Sequence, residues 1–233
     1  MYIGVISDTH GVFSKEFAEF LAPVDVVWHA GDWGGSLGFV QQIRELGKPV
    51  VGVYGNCDGL DIRQEFPEYQ FFREEGLGIL LTHIGGSPGH YYPRAAQLIR
   101  SCHPDLFVCG HSHILKVQWD DGRGLGYASP SQNAGGGPPE GRATRGTKAG
   151  GPSPDGGVSP KDELPKGALP PASTPKQGFL YMNPGAAGLQ GWQVVRTALR
   201  FKLGPAPVAP SSSAPSGPVG QISDLEVFNL PRS

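Results

Sequence analysis

The stretch that decides the fold is Tyr2–His10, which reads YIGVISDTH. Its first part is a short, largely β-branched apolar run, which is typical of a strand buried on both faces. The run ends in Asp8-Thr9-His10, so a carboxylate and an imidazole follow the strand directly. Polar side chains in this position are typical of an α/β protein whose site lies at the carboxyl ends of its strands.

Similar apolar runs recur along the chain, and amphipathic segments separate them. We predict buried strands at Tyr2–Ser7, Asp25–Ala30, Pro49–Tyr54, Gly78–Thr82 and Asp105–Cys109. Apolar residues at spacings of three and four predict helices at Ser14–Leu21, Leu37–Leu46 and Arg94–Cys102. Ser36 and Pro93 lie where an N-cap and a first-turn proline belong. The alternation of strands and helices predicts an α/β fold.

Glycine and proline are concentrated in two stretches of the 233-residue chain. Residues 122–178 hold 14 glycines and 10 prolines, and such a segment cannot bury enough apolar surface to offset its chain entropy. We predict a single domain over residues 1–233, with a disordered insertion at about 122–178 and a second one at about 204–220. Strand-like sequence returns at Phe179–Met182, Thr197–Leu203 and Leu225–Leu230, and the second insertion then forms an extended hairpin loop.

Charge and cysteine content restrict the class of protein. With 19 Lys and Arg against 21 Asp and Glu, the net charge of -2 gives no signal for nucleic acid or for a membrane surface. Three cysteines do not make a disulfide framework, and no apolar run has the length of a membrane span. We therefore expect a soluble, cytoplasmic protein, whose oligomeric state the sequence leaves open.

Seven residues of ligand type stand at or just past the ends of the five predicted strands. They are Asp8, His10, Asp32, Asn56, His83, His111 and His113. Because the carboxyl ends of such strands converge, we expect these side chains to share one crevice. Seven ligands are more than one cation needs, so we predict two divalent ions. Mixed imidazole, carboxylate and amide donors favour Mn, Fe, Zn, Co or Ni over Mg or Ca.

The same residues form a recognisable series of motifs. Five blocks, namely Asp8-Thr9-His10, Gly31-Asp32, Gly55-Asn56-Cys57-Asp58, His83 and Gly110-His111-Ser112-His113, resemble those of the calcineurin-like metallophosphoesterases. The chain is most similar to the small phosphodiesterases of the YfcE type. The resemblance covers residues 1–119, and the later Asn183-Pro184-Gly185 resembles the closing loop of that family.

The resemblance implies a fold and a division of the ligands. The fold is a four-layer α/β/β/α sandwich, in which two mixed sheets lie face to face with helices outside. One cation is held by Asp8, His10, Asp32 and His113, and the other by Asp32, Asn56, His83 and His111. Asp32 is therefore the bridging ligand.

The resemblance also implies an activity. It predicts hydrolysis of a phosphate ester, a diester rather than a monoester, by in-line attack of a hydroxide bound between the two cations. Mn is the favoured metal. We assign the catalytic positions to Asp32, Asn56, Cys57 and His111.

Cys57 departs from the commoner pattern of the superfamily, which has histidine there as a proton donor or phosphate contact. Cysteine is a weak acid at neutral pH, so we expect poor cleavage of esters with poor leaving groups. A rival interpretation makes Cys57–Arg63 a Cys-x5-Arg phosphatase loop with Cys57 as nucleophile. A third keeps the fold without catalysis, as an interaction scaffold like the retromer subunit that resembles this superfamily. His29 either positions a metal ligand or is a histidine bonded to the backbone.

Overall fold

The computed structural model describes residues 1–122, 125, 178–204 and 221–232. The elements of these residues, in chain order, are β1 (Tyr2–Ile6), α1 (Lys15–Leu21), β2 (Val26–His29), α2 (Leu37–Arg44), β3 (Val50–Gly52), α3 (Leu60–Glu65), β4 (Tyr69–Glu74), β5 (Leu77–Thr82), β6 (Gly86–Ser87), β7 (His90–Tyr91), α4 (Pro93–Cys102), β8 (Leu106–Val108), β9 (Leu115–Asp120), β10 (Phe179–Pro184), β11 (Val195–Leu203) and β12 (Ile222–Pro231). The insertion predicted at 122–178 lies almost entirely outside the described residues, and so does most of the one at 204–220.

Two five-stranded sheets form the centre of the molecule. The first has the order β12-β11-β1-β2-β3, in which β1, β2 and β3 are parallel, β11 is antiparallel to β1, and β12 is antiparallel to β11. The second has the order β4-β5-β8-β10-β9, in which β5, β8 and β10 are parallel and β4 and β9 run the other way. Both sheets are therefore mixed, and β6 and β7 form a separate short hairpin.

Three apolar cores divide the molecule into four layers. One core joins the two sheets and includes Trp28 and Phe201 from the first and Ile79 from the second. Another packs α1, α2 and α3 on the outer face of the first sheet, and the last packs α4 on the second. Central strands are covered on both faces, which is why β1, β2 and β5 are almost continuously apolar. The predicted four-layer α/β/β/α sandwich is confirmed.

The predicted elements agree with the structure to within a few residues at their ends. Ser36 caps α2, where its hydroxyl accepts a hydrogen bond from the Gly38 amide at 3.3 Å, and Pro93 is the first residue of α4. The predictions missed α3, β4, β9 and the two-residue strands β6 and β7. Helix α3 is only six residues long, and β4 and β9 are edge strands with half-exposed or charged positions. The structure also divides the five predicted strands between two sheets, three in the first and two in the second.

Candidate metal centre

The seven candidate ligands lie on loops that leave the carboxyl ends of strands. Asp8 and His10 follow β1, Asp32 follows β2, and Asn56 follows β3 in the first sheet. The loops after β5 and β8 of the second sheet carry the remaining three, which are His83, His111 and His113. Because the two sheets pack face to face with these ends together, residues more than 100 positions apart come into contact, as Asp8 and His113 do.

One half of the centre is built from both sheets. His113 Nε2 lies 3.0 Å from Asp8 Oδ1 and 3.4 Å from His10 Nε2. The donor atoms of these three residues all lie within 4.8 Å of one another, close enough to surround one ion.

The other half centres on His83. Its Nε2 lies 3.3 Å from Asp32 Oδ2 and 3.1 Å from Asn56 Oδ1. The same Asp32 oxygen is 4.0 Å from His10 Nε2, so this carboxylate stands between the two halves. His111 lies at the rim, with its ring centroid 5.3 Å from that of His83. It is outside the three-residue groups of His, Cys, Asp and Glu that the described residues form.

The chemistry of the donor set fits a cation. Asp8 is fully buried, and its Oδ1 accepts no hydrogen bond although His113 Nε2 is only 3.0 Å away. A buried, unsatisfied carboxylate oxygen costs free energy in the native state and calls for an explanation. A divalent ion between Asp8 and His113 would satisfy it.

The orientation of the histidines also suits metal binding. His83 Nδ1 donates to the Ala30 carbonyl at 2.7 Å, and His113 Nδ1 donates to the Gln190 carbonyl at 3.1 Å. These bonds place the proton on Nδ1 and leave the Nε2 lone pair facing the site. Metal-binding histidines are commonly held in this way.

The backbone at the site is conformationally unusual. Asp8, His10, Asp32, His111 and His113 have positive φ angles of 53, 46, 53, 67 and 58°. They make up five of the eight non-glycine residues with positive φ in the described part of the chain. Such conformations cost free energy, persist only where tertiary contacts enforce them, and cluster at functional sites.

Glycines let two of the ligand loops approach the carboxylates. A Cβ on Gly55 would lie 2.1 Å from Asp32 Oδ1, and one on Gly110 would lie 2.8 Å from Asp8 Oδ2. Both distances are well inside van der Waals contact. The glycines before Asn56 and His111 are therefore required by packing against the site itself.

Two polar side chains that sequence reasoning did not assign hold these loops in place. The Asn183 side-chain amide donates to the Gly110 carbonyl at 2.8 Å and to the Ser112 hydroxyl at 3.1 Å. Asp58 accepts from the amides of Gly34 at 3.1 Å and Gly55 at 2.7 Å. Both residues are buried, and both lie inside the quoted motifs, so the motifs marked the positions without revealing their roles.

His29 connects the first two ligand loops. Its Nε2 lies 2.9 Å from the Thr9 hydroxyl, its Nδ1 accepts from the Gly31 amide at 3.1 Å, and its ring stacks on Trp33 at 3.6 Å. Burial lowers the pKa of His29 well below its usual value, so the ring is neutral. His29 therefore positions the loops that carry Asp8, His10 and Asp32.

The surroundings of Asp32 favour its ionised carboxylate. Burial alone raises the pKa of Asp32, but the hydrogen bond and charge of His83 and the Cys57 amide hold that pKa far below its usual value. The neighbouring Asp8 carboxylate raises the pKa of His113. Burial lowers the pKa of His83, yet the hydrogen bond to Asp32, the charges of Asp8 and Asp32 and the bond to the Ala30 carbonyl together make the net shift upward. Burial lowers the pKa of both His10 and His111.

The geometry around Cys57 argues against a Cys-x5-Arg phosphatase loop. Burial and the neighbouring Asp32 carboxylate raise the pKa of the Cys57 thiol to about 11, which disfavours the thiolate that a nucleophile needs. Arg63 donates to the carbonyls of Asp58 at 2.8 Å and of Gly55 and Asn56 at 3.2 Å. Its guanidinium is therefore committed to the backbone of the loop.

The comparison with protein families identifies the group to which these motifs belong. The calcineurin-like phosphoesterase superfamily domain matches residues 1–134, which include all seven candidate ligands. This chain belongs to the calcineurin-like phosphoesterase superfamily. The predicted superfamily is thus confirmed, and with it the general class of phosphoesterase and the expectation of divalent metal binding. A comparison with curated protein sequences found no match.

Solved structures show that this phosphoesterase shares its fold with Vps29 proteins. A single mutant of Vps29 from Entamoeba histolytica is 15% identical, covers 99% of both chains and has a TM-score of 0.54. Wild-type Vps29 from that organism, complexed with Zn²⁺, is 16% identical over 87% of this chain and 86% of that one, with a TM-score of 0.51. Vps29 from Chaetomium thermophilum is 11% identical over 99% and 93%, with a TM-score of 0.52. At these identities the likeness concerns the fold. Among the described residues, no helix has both the length and the apolar character needed to cross a membrane.

Proposed function

We propose that this phosphoesterase is a metal-dependent phosphodiesterase that binds two divalent cations, Mn being favoured, and hydrolyses its substrate by in-line attack of hydroxide on phosphorus. The observation that carries the proposal is the unsatisfied, fully buried Asp8 Oδ1, which lies 3.0 Å from His113 Nε2 at the meeting point of both sheets. The family match supports a metal here, and a Vps29 protein of the same fold has been crystallised in complex with Zn²⁺.

The proposed ligand sets follow the two halves of the centre. Asp8, His10, Asp32 and His113 would hold one cation, and Asp32, Asn56, His83 and His111 would hold the other. When bound, the cations acidify water and neutralise charge on the phosphoryl oxygens. Asp8 and Asp32 return only two of the four positive charges, so the filled site stays positive and attracts a phosphate anion.

The remaining steps depend on side chains of this chain. The bonds from Nδ1 of His83 and His113 leave the Nε2 atoms of both rings directed toward a cation. The low pKa of Asp32 means that its carboxylate is already ionised, so a cation that binds there displaces no proton from it. Cys57, the exposed residue at the rim, is an inefficient general acid at neutral pH, because its thiol pKa of about 11 lies far above the operating pH. The site therefore suits esters whose leaving group departs without strong acid assistance.

The experiment compares metal-reconstituted protein with matched variants on bis(p-nitrophenyl) phosphate. We expect Mn²⁺-stimulated turnover that is abolished by chelation and lowered more than about 100-fold by Asp32→Asn, because even outer-shell partners of a metal site are worth 10–100-fold. Asp224→Asn is the matched control, since this exposed residue pairs with Lys202 on β11 and β12, away from the ligand loops. Full activity of a verified metal-free protein would refute the proposal.

A second candidate function is an interaction scaffold with the same fold. Leu189, Trp192 and Val194 are exposed on the loop that contacts His113 through Gln190 and Gly191, and a group of exposed apolar side chains is typical of an interaction surface. A metal-loaded protein that hydrolyses no member of a panel of monoesters and linear and cyclic diesters would favour the scaffold.

A further inference from the structure

Two clefts open on either side of Tyr92, and both reach the candidate metal centre. We call the first the Tyr54 cleft. It has a volume of about 300 Å³, and Asn56 and His83 form its metal side. The second, the Lys116 cleft, has a volume of about 510 Å³, and His111 forms its metal side. Tyr92 lines both clefts, is half exposed, and lies with its ring 6.3 Å from that of His111.

Among the described residues, those that line the Tyr54 cleft offer aromatic surface, and their arginines are already paired. Tyr54, Ile84 and Tyr92 supply its apolar and aromatic surface. Its two arginines are already engaged: Arg94 binds Glu68 at 3.1 Å, and Arg63 bonds three backbone carbonyls and lies 4.6 Å from the Tyr54 ring centroid. A cleft with aromatic side chains and paired arginines suits a planar ring, on which the aromatic side chains can stack.

The Lys116 cleft has the opposite character. It lies between the β6–β7 hairpin and the segment that runs from His111 into β9. Lys116, His90 and His111 are its basic side chains, and no carboxylate of the described residues lines it. The Asp120 carboxylate, further along β9, is bonded to the Tyr91 hydroxyl at 2.5 Å and to the Gly122 amide at 2.8 Å. The cleft therefore favours an anion.

We propose, on the basis of the phosphodiesterase function above, that the substrate is a linear phosphodiester with two unlike arms. The ring-bearing arm occupies the Tyr54 cleft, and the other arm carries a second phosphate that binds Lys116. Placing the scissile phosphate at the metal centre puts one ester oxygen toward each cleft. Hydrolysis consumes one water, forms one new P–O bond and breaks one ester P–O bond, and the departing alcohol keeps its oxygen and gains a proton.

The test uses two p-nitrophenyl diesters of thymidine 5′-phosphate, in which p-nitrophenyl is the ring for the Tyr54 cleft and the nucleoside is the other arm, with either a free 3′-hydroxyl or a 3′-phosphate. We expect kcat/KM of the Mn-loaded, full-length protein to be about 10-fold higher for the 3′-phosphate substrate, as one added charge contact provides. Lys116→Gln should bring this ratio close to one. Lys202→Gln, which changes an exposed lysine paired with Asp224 at 2.8 Å, should keep the wild-type ratio. Equal kcat/KM for the two substrates in the wild type, or a ratio that survives Lys116→Gln, would overturn the proposal.

A binding measurement separates this proposal from the proposed activity. Calorimetry on Mn-loaded protein compares thymidine 5′-phosphate with thymidine 3′,5′-bisphosphate, and we expect tighter binding of the bisphosphate that weakens with salt and is lost in Lys116→Gln. If that preference is present but no diester is cleaved, the cleft assignment stands and the phosphodiesterase function falls. If diesters are cleaved but the bisphosphate binds no better than the monophosphate, the phosphodiesterase function stands and the cleft assignment falls.

Discussion

Arg232 lies outside the metal centre, yet removing its guanidinium should weaken metal binding there. Arg232 lies just past β12, and its Nη1 donates to the Gly191 carbonyl at 2.6 Å while its Nη2 donates to the Gln190 carbonyl. That second carbonyl also accepts the bond from His113 Nδ1 at 3.1 Å. Arg232 thus holds the acceptor that orients a proposed metal ligand, and Arg232→Ala would free the loop.

The size of the effect follows from the bonds lost. A hydrogen bond from a charged donor contributes about 1.5–3 kcal/mol when well placed, and partial exposure lowers that contribution here. We expect a loss of roughly 1–2 kcal/mol in the free energy of unfolding, which lowers Tm by about 2–8 °C for a chain of this size. Displacing the partner of a metal-bound histidine typically costs 10–100-fold in metal affinity.

The assay pairs metal titration by competition with a chelator and thermal unfolding of metal-free protein. Arg73→Ala is the matched control, because the Arg73 side chain on the edge strand β4 makes a single hydrogen bond to the described residues, a long one of 3.5 Å to the Gly76 carbonyl. Arg232→Lys should recover part of the affinity. An Arg232→Ala protein that folds normally and binds Mn²⁺ as tightly as the wild type would refute the reasoning.

Three further outcomes are expected. Gly110→Ala should lower the free energy of unfolding by about 2–4 kcal/mol, because its methyl would lie 2.0 Å from the nearest side-chain oxygen. Gly38→Ala, in a helix, should leave chemical denaturation curves nearly unchanged or shift them upward. Metal binding requires the neutral form of His83 and His113, and the pKa values of both are raised above the usual 6.5. Mn²⁺ affinity should therefore fall as the pH drops, and the fall should begin above pH 6.5. Metal titrations that give the same affinity across a pH series would contradict this. The Cys57→Ser variant should retain turnover of p-nitrophenyl esters in steady-state assays. Complete loss of turnover in this variant would instead support Cys57 as the nucleophile.

The sequence predicted those parts of the fold that depend on local patterns. Buried strands such as β1 and β5 are continuously apolar, and α2 and α4 have apolar faces with a recognisable first turn, so their positions were predictable. The edge strand β9 reads LKVQWD and is mostly half exposed, so it carries a weaker signal. How the strands divide between two sheets is a long-range property; the family resemblance implied two mixed sheets, and the structure shows which strands each contains.

The candidate site was predictable as a set of residues but not as a geometry. Each ligand position follows from a strand end, and the structure brings the seven side chains together. The roles of Asn183, Asp58 and Arg232 arise from hydrogen bonds to loops that only the folded chain brings near them. The positive φ angles at Asp8 and His113 could not be predicted either, because a positive φ is expected from sequence chiefly at glycine.

The central claim is that two cations share this set of ligands, and anomalous diffraction from crystals of Mn-loaded protein tests it most directly. We expect two anomalous peaks, one for each cation. Asp32 should be bonded to both cations, His113 to one of them, and His83 and His111 to the other. A single peak, or peaks that leave His83 and His111 uncoordinated, would contradict it.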